Sequence, residues 1–371
     1  MNIVKIEQVD VTLPFLRPFQ TSYGQITDKQ TSLYIVHDAS GAIGLGELDA
    51  LVHPDYIEET LDSARVIIRE YLIPTLLGVD WQHPREVSTL FRGIQGYGMA
   101  KAALETAAWD SYARYHQRSL TSLIGGTTQP VAVGVSLGIE SDFTTLVEQV
   151  ADYVQQGYTR IKLKIKPGYD FAPLAAIRQA FPDLLLMADA NSAYDTLPER
   201  EWTIFQQLDT LNLAMIEQPF GPRDFVKHAR LQAQLRTPLC LDENIRSVSD
   251  VQTAVALGSC RAVNLKIPRV GGLSEALAIC QFCHQNKVRV WLGGMYEAGV
   301  GRALNVQVAA LPTLTFPGDL SASNRYFAED IVTPVATLQQ GKLAVLDEPG
   351  IGVHLDWTTI ARYQQGYHLY E

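Results

Sequence analysis

The sequence predicts an α/β fold: a modified (β/α)8-type, TIM-like barrel of parallel strands, joined to a smaller α+β region built from both ends of the chain. Three observations carry this. From about Val131 onward, short apolar runs rich in β-branched residues alternate with amphipathic helical stretches, repeating about every 25 to 30 residues as βα units do. A polar residue ends run after run, which suits a closed barrel with a functional mouth better than an open doubly wound sheet. The two ends of the chain lack this rhythm.

Residues 1 to about 50 read as antiparallel strands. Ile3–Thr12 alternates apolar and polar residues, and Ser32–Asp38 and Ala42–Glu47 flank a Ser-Gly turn. Helical spacing follows over Tyr56–Leu77, Pro84–Phe91 and Met99–Tyr115, the last with apolar or small residues on one face and charges opposite. The barrel runs are then Val131–Gly138, Arg160–Lys166, Leu184–Ala190, Leu213–Pro219, Pro238–Glu243, Ala262–Ile267, Arg289–Gly294 and, after a final helix, Thr313–Phe316. Gly341–Glu371 is strand-like again and is expected to return to the first region. The domain expectation is therefore 1–125 and 326–371 as one α+β unit around a barrel at 126–325.

Composition narrows the function classes. A chain of 371 residues with 47% hydrophobic content can bury a large core. Its formal net charge of −10, with no basic stripe, argues against nucleic acid as a partner. The start, MNIVKIEQVDVTLPF, alternates and carries early charges, and no segment offers the roughly 18 apolar residues of a membrane span, so no membrane association and a cytoplasmic location are expected. A homo-oligomer is compatible with all of this. The four cysteines, Cys240, Cys260, Cys280 and Cys283, lie in one half of a large chain, and disulfides are not expected. Cys280-Gln-Phe-Cys283-His284 has the form of a haem attachment string, but it falls inside the helical stretch Leu273–Asn286 with no second ligand pair near it. Gly271-Gly272 and Gly293-Gly294 lack a dinucleotide-binding context. The scattered histidines, His53 and His228 among them, are expected at the surface.

The ends of the barrel runs form a series. The second run carries Lys162 and Lys164, the third Asp189 and Asn191, the fourth Glu217, the fifth Asp242 with Glu243, and the sixth Lys266. Period-2 geometry puts Lys162 with Lys164, and Asp189 with Asn191, on common faces. Asp189, Glu217 and Asp242 are 28 and 25 residues apart, one βα unit each time, so three adjacent strands each supply one acid. Three buried carboxylates need a compensating cation, and hard oxygen donors from separate strands suit Mg²⁺ or Mn²⁺. A single acid at a strand end could merely cap the next helix; three in order, in DAN, EQP and DE settings, point to a metal centre. Lys164 and Lys266 flank the acids from either side as candidate bases, and the neighbouring Lys162, a metal and partial burial are expected to depress a lysine pKa there. A metal clamp between two lysines suits removal of a proton α to a carboxylate, so the expected partner is a small-molecule carboxylate.

These residues resemble the enolase superfamily, and specifically its muconate-lactonising subgroup, marked by Lys-x-Lys on the second strand, Asp, Glu and Asp metal ligands, and a sixth-strand Lys. Arg160-Ile-Lys-Leu-Lys-Ile-Lys-Pro-Gly-Tyr-Asp170, Met215-Ile-Glu-Gln-Pro219, Cys240-Leu-Asp-Glu243, Asn264-Leu-Lys266 with Arg269-Val-Gly-Gly272, Gly293-Gly-Met-Tyr-Glu297 and Pro317-Gly-Asp-Leu-Ser-Ala-Ser323 are similar to motifs of the o-succinylbenzoate synthases, including those that also racemise N-succinylamino acids. The resemblance implies a capping domain from both termini. It implies a lid at Phe15–Gly24, with Phe19 and Tyr23 facing the substrate and Gly24 as hinge. It also implies Lys164 as general base, Lys266 as its opposite-face partner, and Ser136, Asn191, Gly294, Met295 and Glu297 as pocket lining, with Lys162 and Glu243 in support. The implied reaction is dehydration of 2-succinyl-6-hydroxy-2,4-cyclohexadiene-1-carboxylate to o-succinylbenzoate; the rivals are N-succinylamino acid racemisation and dipeptide epimerisation. Two departures, Ile267-Pro268-Arg269 where the family often has Pro-Gly-Arg, and Asn324 after Ser-Ala-Ser, touch neither base nor ligand. A binding barrel that had lost catalysis would lack a base or ligand, and none is missing.

Overall fold

Alternation in the first fifty residues builds a four-stranded antiparallel sheet. The computed structural model describes residues 1–20 and 25–371, and the side chains of these except Phe19, Gln20 and Gln25. Strand β1 (Ile3–Gln20) pairs with β2 (Gln25–Asp38), placing Glu7 opposite Ile35 and Val9 opposite Leu33, and β2 pairs with β3 (Ile43–Glu47). Helix α1 (Gly98–Tyr115) crosses this sheet on its alanine face. Two glycines permit the close approach: a Cβ on Gly44 would lie 2.0 Å from the Ala107 carbonyl, and one on Gly46 1.9 Å from that of Ala103.

The expected helix from Tyr56 begins later. Thr60 and Ser63 form a reciprocal cap, so the helix opens at Leu61, and a π turn at Ile68–Leu72 precedes its last turn. Tyr56 is thereby left in an irregular segment that reaches the barrel.

Seven parallel strands follow: β4 (Val135–Leu137), β5 (Arg160–Lys164), β6 (Leu185–Asp189), β7 (Ile216–Glu217), β8 (Leu239–Leu241), β9 (Ala262–Leu265) and β10 (Arg289–Leu292), each paired with the next in sequence. Helices α2 (Phe143–Gln155), α3 (Phe171–Ala180), α4 (Thr203–Asp209), α5 (Phe225–Gln232), α6 (Val248–Leu257), α7 (Leu273–Gln285) and α8 (Gly299–Ala309) alternate with them. The eighth expected run, Thr313–Phe316, is not a strand. The chain closes the ring one step later, where Gly134 N–H donates to Gly318 O (2.8 Å) and Asp319 N–H donates to Leu292 O (2.8 Å). Pro312 and Pro317 bracket the expected run and cannot donate to a ladder, which leaves only the short Gly318–Asp319 bridge. Met187, Met215, Cys240, Ala262 and Trp291 fill the barrel floor, all fully buried.

The strand-like tail contains a helix, Trp357–Tyr363, opened by Asp356, whose side chain accepts from Thr358 and Thr359 N–H. After it, β11 (Gln364–Tyr370) pairs antiparallel with β1, giving the sheet order β11-β1-β2-β3. Leu338–Gln339 pairs instead with Lys342–Leu343, which pairs in turn with Val131–Ala132 just before the first barrel strand. The four cysteines are free and buried, with Cys280 and Cys283 on the inner face of α7. His228 is not at the surface: it is fully buried on α5, packs on Phe220, and its Nδ1 meets Asp224 O, because that face of α5 turns toward the strands. Among the described residues no helix is long and apolar enough to cross a membrane.

Candidate active site

Parallel register turns spacing in the chain into proximity in space. Lys164 stands beside Asp189, Asp189 beside Glu217, and Glu217 beside Cys240, two residues before Asp242. Ser136, Lys162, Lys164, Asp189, Asn191, Asp242, Lys266, Gly294, Met295 and Glu297 line one cavity at the strand C-termini. Glu217 and Glu243 are buried beside these residues, Glu217 against Lys162 and Glu243 against Asn191, and do not themselves line the cavity. The backbone of Phe19 pairs with Ile26, while its side chain and the whole of Tyr23 lie outside what the structure describes.

The contacts form a chain of opposite charges. Lys162 Nζ reaches Asp189 Oδ2 (3.0 Å), Glu217 Oε2 (3.1 Å) and Asp319 Oδ2 (2.5 Å). Lys164 Nζ donates to Asp189 Oδ2 (2.6 Å) and to Asn191 Oδ1. Across the mouth, Lys266 Nζ donates to Asp242 Oδ2 (3.0 Å) and to the Tyr56 hydroxyl (3.0 Å), with the Tyr56 ring 4.3 Å beneath it. Arg269 donates to Asp242 and to the same hydroxyl, which in turn donates to Asp242 Oδ1 (3.1 Å).

Burial sets the electrostatics. Burial together with the nearby Asp189 charge pushes the Glu217 carboxyl up to about 7, and burial with Asp242 pushes Glu243 up to about 8. Burial works against Asp189 and Asp242 as well, but the adjoining lysines, and for Asp242 also Arg269, hold both below the usual carboxylate range. Lys266, one of the two candidate bases, is not depressed by its protein neighbours, and Lys162 beside the other base is held up as well. Burial would lower them, yet Asp189 holds Lys162, and Asp242 holds Lys266, well above the ordinary range.

Four positions just past barrel strand ends carry left-handed backbone without glycine: Asn191 (φ 41°), Ser192 (φ 63°), Gln218 (φ 41°) and Tyr296 (φ 60°). Such conformations cost about 1–3 kcal/mol each and persist only where the surroundings fix them. Gln218 shows how: its Oε1 accepts from Asp242 N–H (2.9 Å) while its Nε2 donates to Asn244 Oδ1 (2.6 Å), so the EQP turn also aims Asp242.

Sequence reasoning missed several members of the site. Tyr56 falls within a stretch of helical spacing that gives no sign of a site. Asp319, inside the Pro317–Ser323 motif, joins Lys162 to the fully buried Arg160 (2.6 Å). Asn264, whose Nδ2 donates to Glu217 Oε1 (2.6 Å), had its signal in the Asn-x-Lys spacing that places it on the same strand face as Lys266.

The donors fit a hard divalent cation. Asp189, Glu217 and Asp242 offer carboxylate oxygens from three neighbouring strand ends, and Glu217 is destabilised as an anion by the other two, a strain that a cation relieves. Among the described residues no three acid, imidazole or thiol side chains form a ready-made ligand cluster, because ammonium and guanidinium groups stand between the carboxylates.

Comparison with known proteins agrees with this geometry. Residues 145–359 match the enolase C-terminal domain-like family, and residues 3–125 match the mandelate racemase/muconate lactonizing enzyme N-terminal domain. A protein from Enterococcus faecalis named o-succinylbenzoate synthase is 54% identical over 367 residues, covering 98% of this chain and 99% of its own. One from Thermus thermophilus named N-succinylamino acid racemase is 40% identical, covering 98% and 97%. A crystal structure of an enolase superfamily member from Listeria innocua superposes with a TM-score of 0.97 at 50% identity, covering 100% of this chain and 99% of that one. With both of its halves matched and relatives this similar along nearly its whole length, the chain belongs to the mandelate racemase/muconate-lactonizing branch of the enolase superfamily.

Proposed function

We propose that this chain is an o-succinylbenzoate synthase, dehydrating 2-succinyl-6-hydroxy-2,4-cyclohexadiene-1-carboxylate in the cytoplasm as a step of menaquinone biosynthesis. The observation that carries the reading is the placement of Lys164 and Lys266 at the second and sixth of eight barrel positions, on opposite sides of a buried carboxylate rim. Full-length relatives at 54% and 51% identity with the synthase name support it.

In this reading Asp189, Glu217 and Asp242 hold Mg²⁺ or Mn²⁺. The ion, when bound, would supply Lewis-acid stabilisation of the charge a carboxylate gains when its α proton leaves. Lys164, aimed by Asn191, removes the proton from the carbon bearing the carboxylate. Lys266, seated on the Tyr56 ring, remains an ammonium and faces the developing negative charge from the other side. The proton held on Lys164 returns to the departing hydroxyl, water leaves, and the ring becomes aromatic. Lys162 and Asp319 hold the rim acids in register from below.

A second reading, N-succinylamino acid racemisation, is favoured by the same opposed lysines and by the racemase name of a 40% identical relative. Both follow from one experiment. Purified protein with Mg²⁺ is expected to convert the cyclohexadiene substrate, measured by ultraviolet absorbance, and to lose that activity with EDTA. Lys164→Ala is expected to lower kcat by about 10²–10⁴-fold in folded protein. Absence of conversion by metal-loaded wild type would sink the synthase reading and leave racemisation to be measured by polarimetry.

A further inference from the structure

Lys29 is a buried lysine that the proposed chemistry does not use. It lies on β2, only 4% exposed, and its ammonium donates to Asp49 Oδ1 (2.8 Å) and to the Met295 carbonyl (3.2 Å). The Met295 N–H is held as well, donating to Glu297 Oε1 (2.7 Å). Both peptide groups of one pocket-lining residue are thus fixed by buried charges, one from the barrel and one from the capping sheet. The next residue, Tyr296, has left-handed backbone, a conformation that needs such external support. A buried Lys–Asp pair is by itself a weak source of stability, because desolvation offsets much of its Coulomb gain. What Lys29 supplies here is a donor long enough to reach from β2 to the pocket wall.

We infer that Lys29 is a positioning residue that sets substrate affinity, by clamping the Met295 carbonyl and so fixing the pocket wall at Gly294–Glu297. β2 is also the return arm of the hairpin in which Phe19 pairs with Ile26 and Gln20 with Gln25. The clamp therefore ties the pocket wall to that hairpin. The inference rests on the reading of the barrel mouth as the substrate pocket.

The test uses full-length protein labelled with methyl-¹³C methionine. The chain has five methionines, and the Met295 resonance is assigned by its loss in Met295→Leu. Lys29→Leu leaves Asp49 buried and unpaired, so Lys29→Leu/Asp49→Leu is made beside it to remove both charges. In each variant that folds, the Met295 methyl is expected to shift or broaden while Met99, Met187 and Met215 stay in place. KM is expected to rise about tenfold with kcat within about threefold, and Lys29→Arg to recover part of the loss. A purely structural Lys29 would lower Tm and the active fraction and leave KM alone. An unmoved Met295 resonance in the double variant, or an unchanged KM, overturns the inference. If wild type turns over neither the cyclohexadiene nor an N-succinylamino acid, the functional reading fails separately, and the methionine spectrum alone still decides whether the clamp exists.

Discussion

Two sets of buried acids in this molecule are held in different ways. Away from the mouth, Glu47 accepts the N–H groups of Ala298 and Gly301, and Glu59 those of Met99 and Ala100. Glu105 accepts from Leu273 and Ser274, Asp110 from Leu45 and Ile351, and Asp330 from Gly299 and Ile331. Each of these pins two backbone donors at a helix start or a chain crossing. At the mouth, among the described residues, Glu217 and Asp242 accept only from side chains, and Asp189 takes a single N–H from Asn191. A carboxylate bound to backbone has no partner it can exchange. One bound to side-chain donors can trade them for a cation or a substrate without stranding a backbone N–H. Partner type, rather than burial, separates these two sets; Asp49, which accepts from the Lys29 ammonium away from the rim acids, is held in the second way without being one of them.

The largest way to break that comparison is Glu105→Ala. Glu105 is fully buried, joins α1 to the start of α7, and also accepts from Ser88 Oγ and Trp109 Nε1. Its removal strands two backbone donors, and we expect a loss of about 3–5 kcal/mol in denaturant unfolding with kcat per folded molecule unchanged. A fall in kcat with stability intact would dissolve the distinction between the two sets.

A pH series sharpens the same contrast. Burial raises Glu59 to about 7, against the two N–H bonds that pull the other way. A folded-state acid pKa above the unfolded value means that the folded chain binds more protons between the two. Stability is therefore expected to fall as pH rises from about 4.5 to about 7, by up to about 3 kcal/mol from this group. Glu59→Gln is expected to flatten that part of the Tm profile, measured by calorimetry from pH 5 to 8, and an unchanged slope would show that Glu59 is ionised throughout.

Much of the barrel mouth was legible in the sequence, because strand geometry converts period-2 alternation and one-unit spacing into position. Lys162, Lys164, Asp189 and Lys266 fall into one cavity for that reason. Glu105 and Glu217 could not be told apart from the sequence, since what separates them is backbone N–H groups as far away as Leu273. Tyr56 and Lys29 were hidden for the same reason, their partners Lys266 and Met295 lying 210 and 266 residues along the chain. The closing segment at Gly318–Asp319 was displaced by prolines that apolar patterning does not weigh, and the charged state of Lys266 depends on Asp242 and Tyr56 together.

The smallest change that tests the exchangeable set is Asn264→Ala. Asn264 is fully buried on β9, its Nδ2 donates to Glu217 Oε1, and among the described residues its side chain bonds to no other rim acid. Its loss leaves Glu217 with Lys162 as its remaining hydrogen-bond donor, in a site where burial already pushes that carboxyl up to about 7. A carboxyl raised further binds a dication less well at neutral pH. We expect the Mg²⁺ concentration for half-maximal activity to rise by about 10–100-fold, with saturated kcat closer to wild type. Isothermal titration with Mn²⁺ should show the same loss without turnover. Wild-type metal affinity in this variant would mean that Glu217 does not need its amide partner, and would move the metal-holding role toward Asp189 and Asp242.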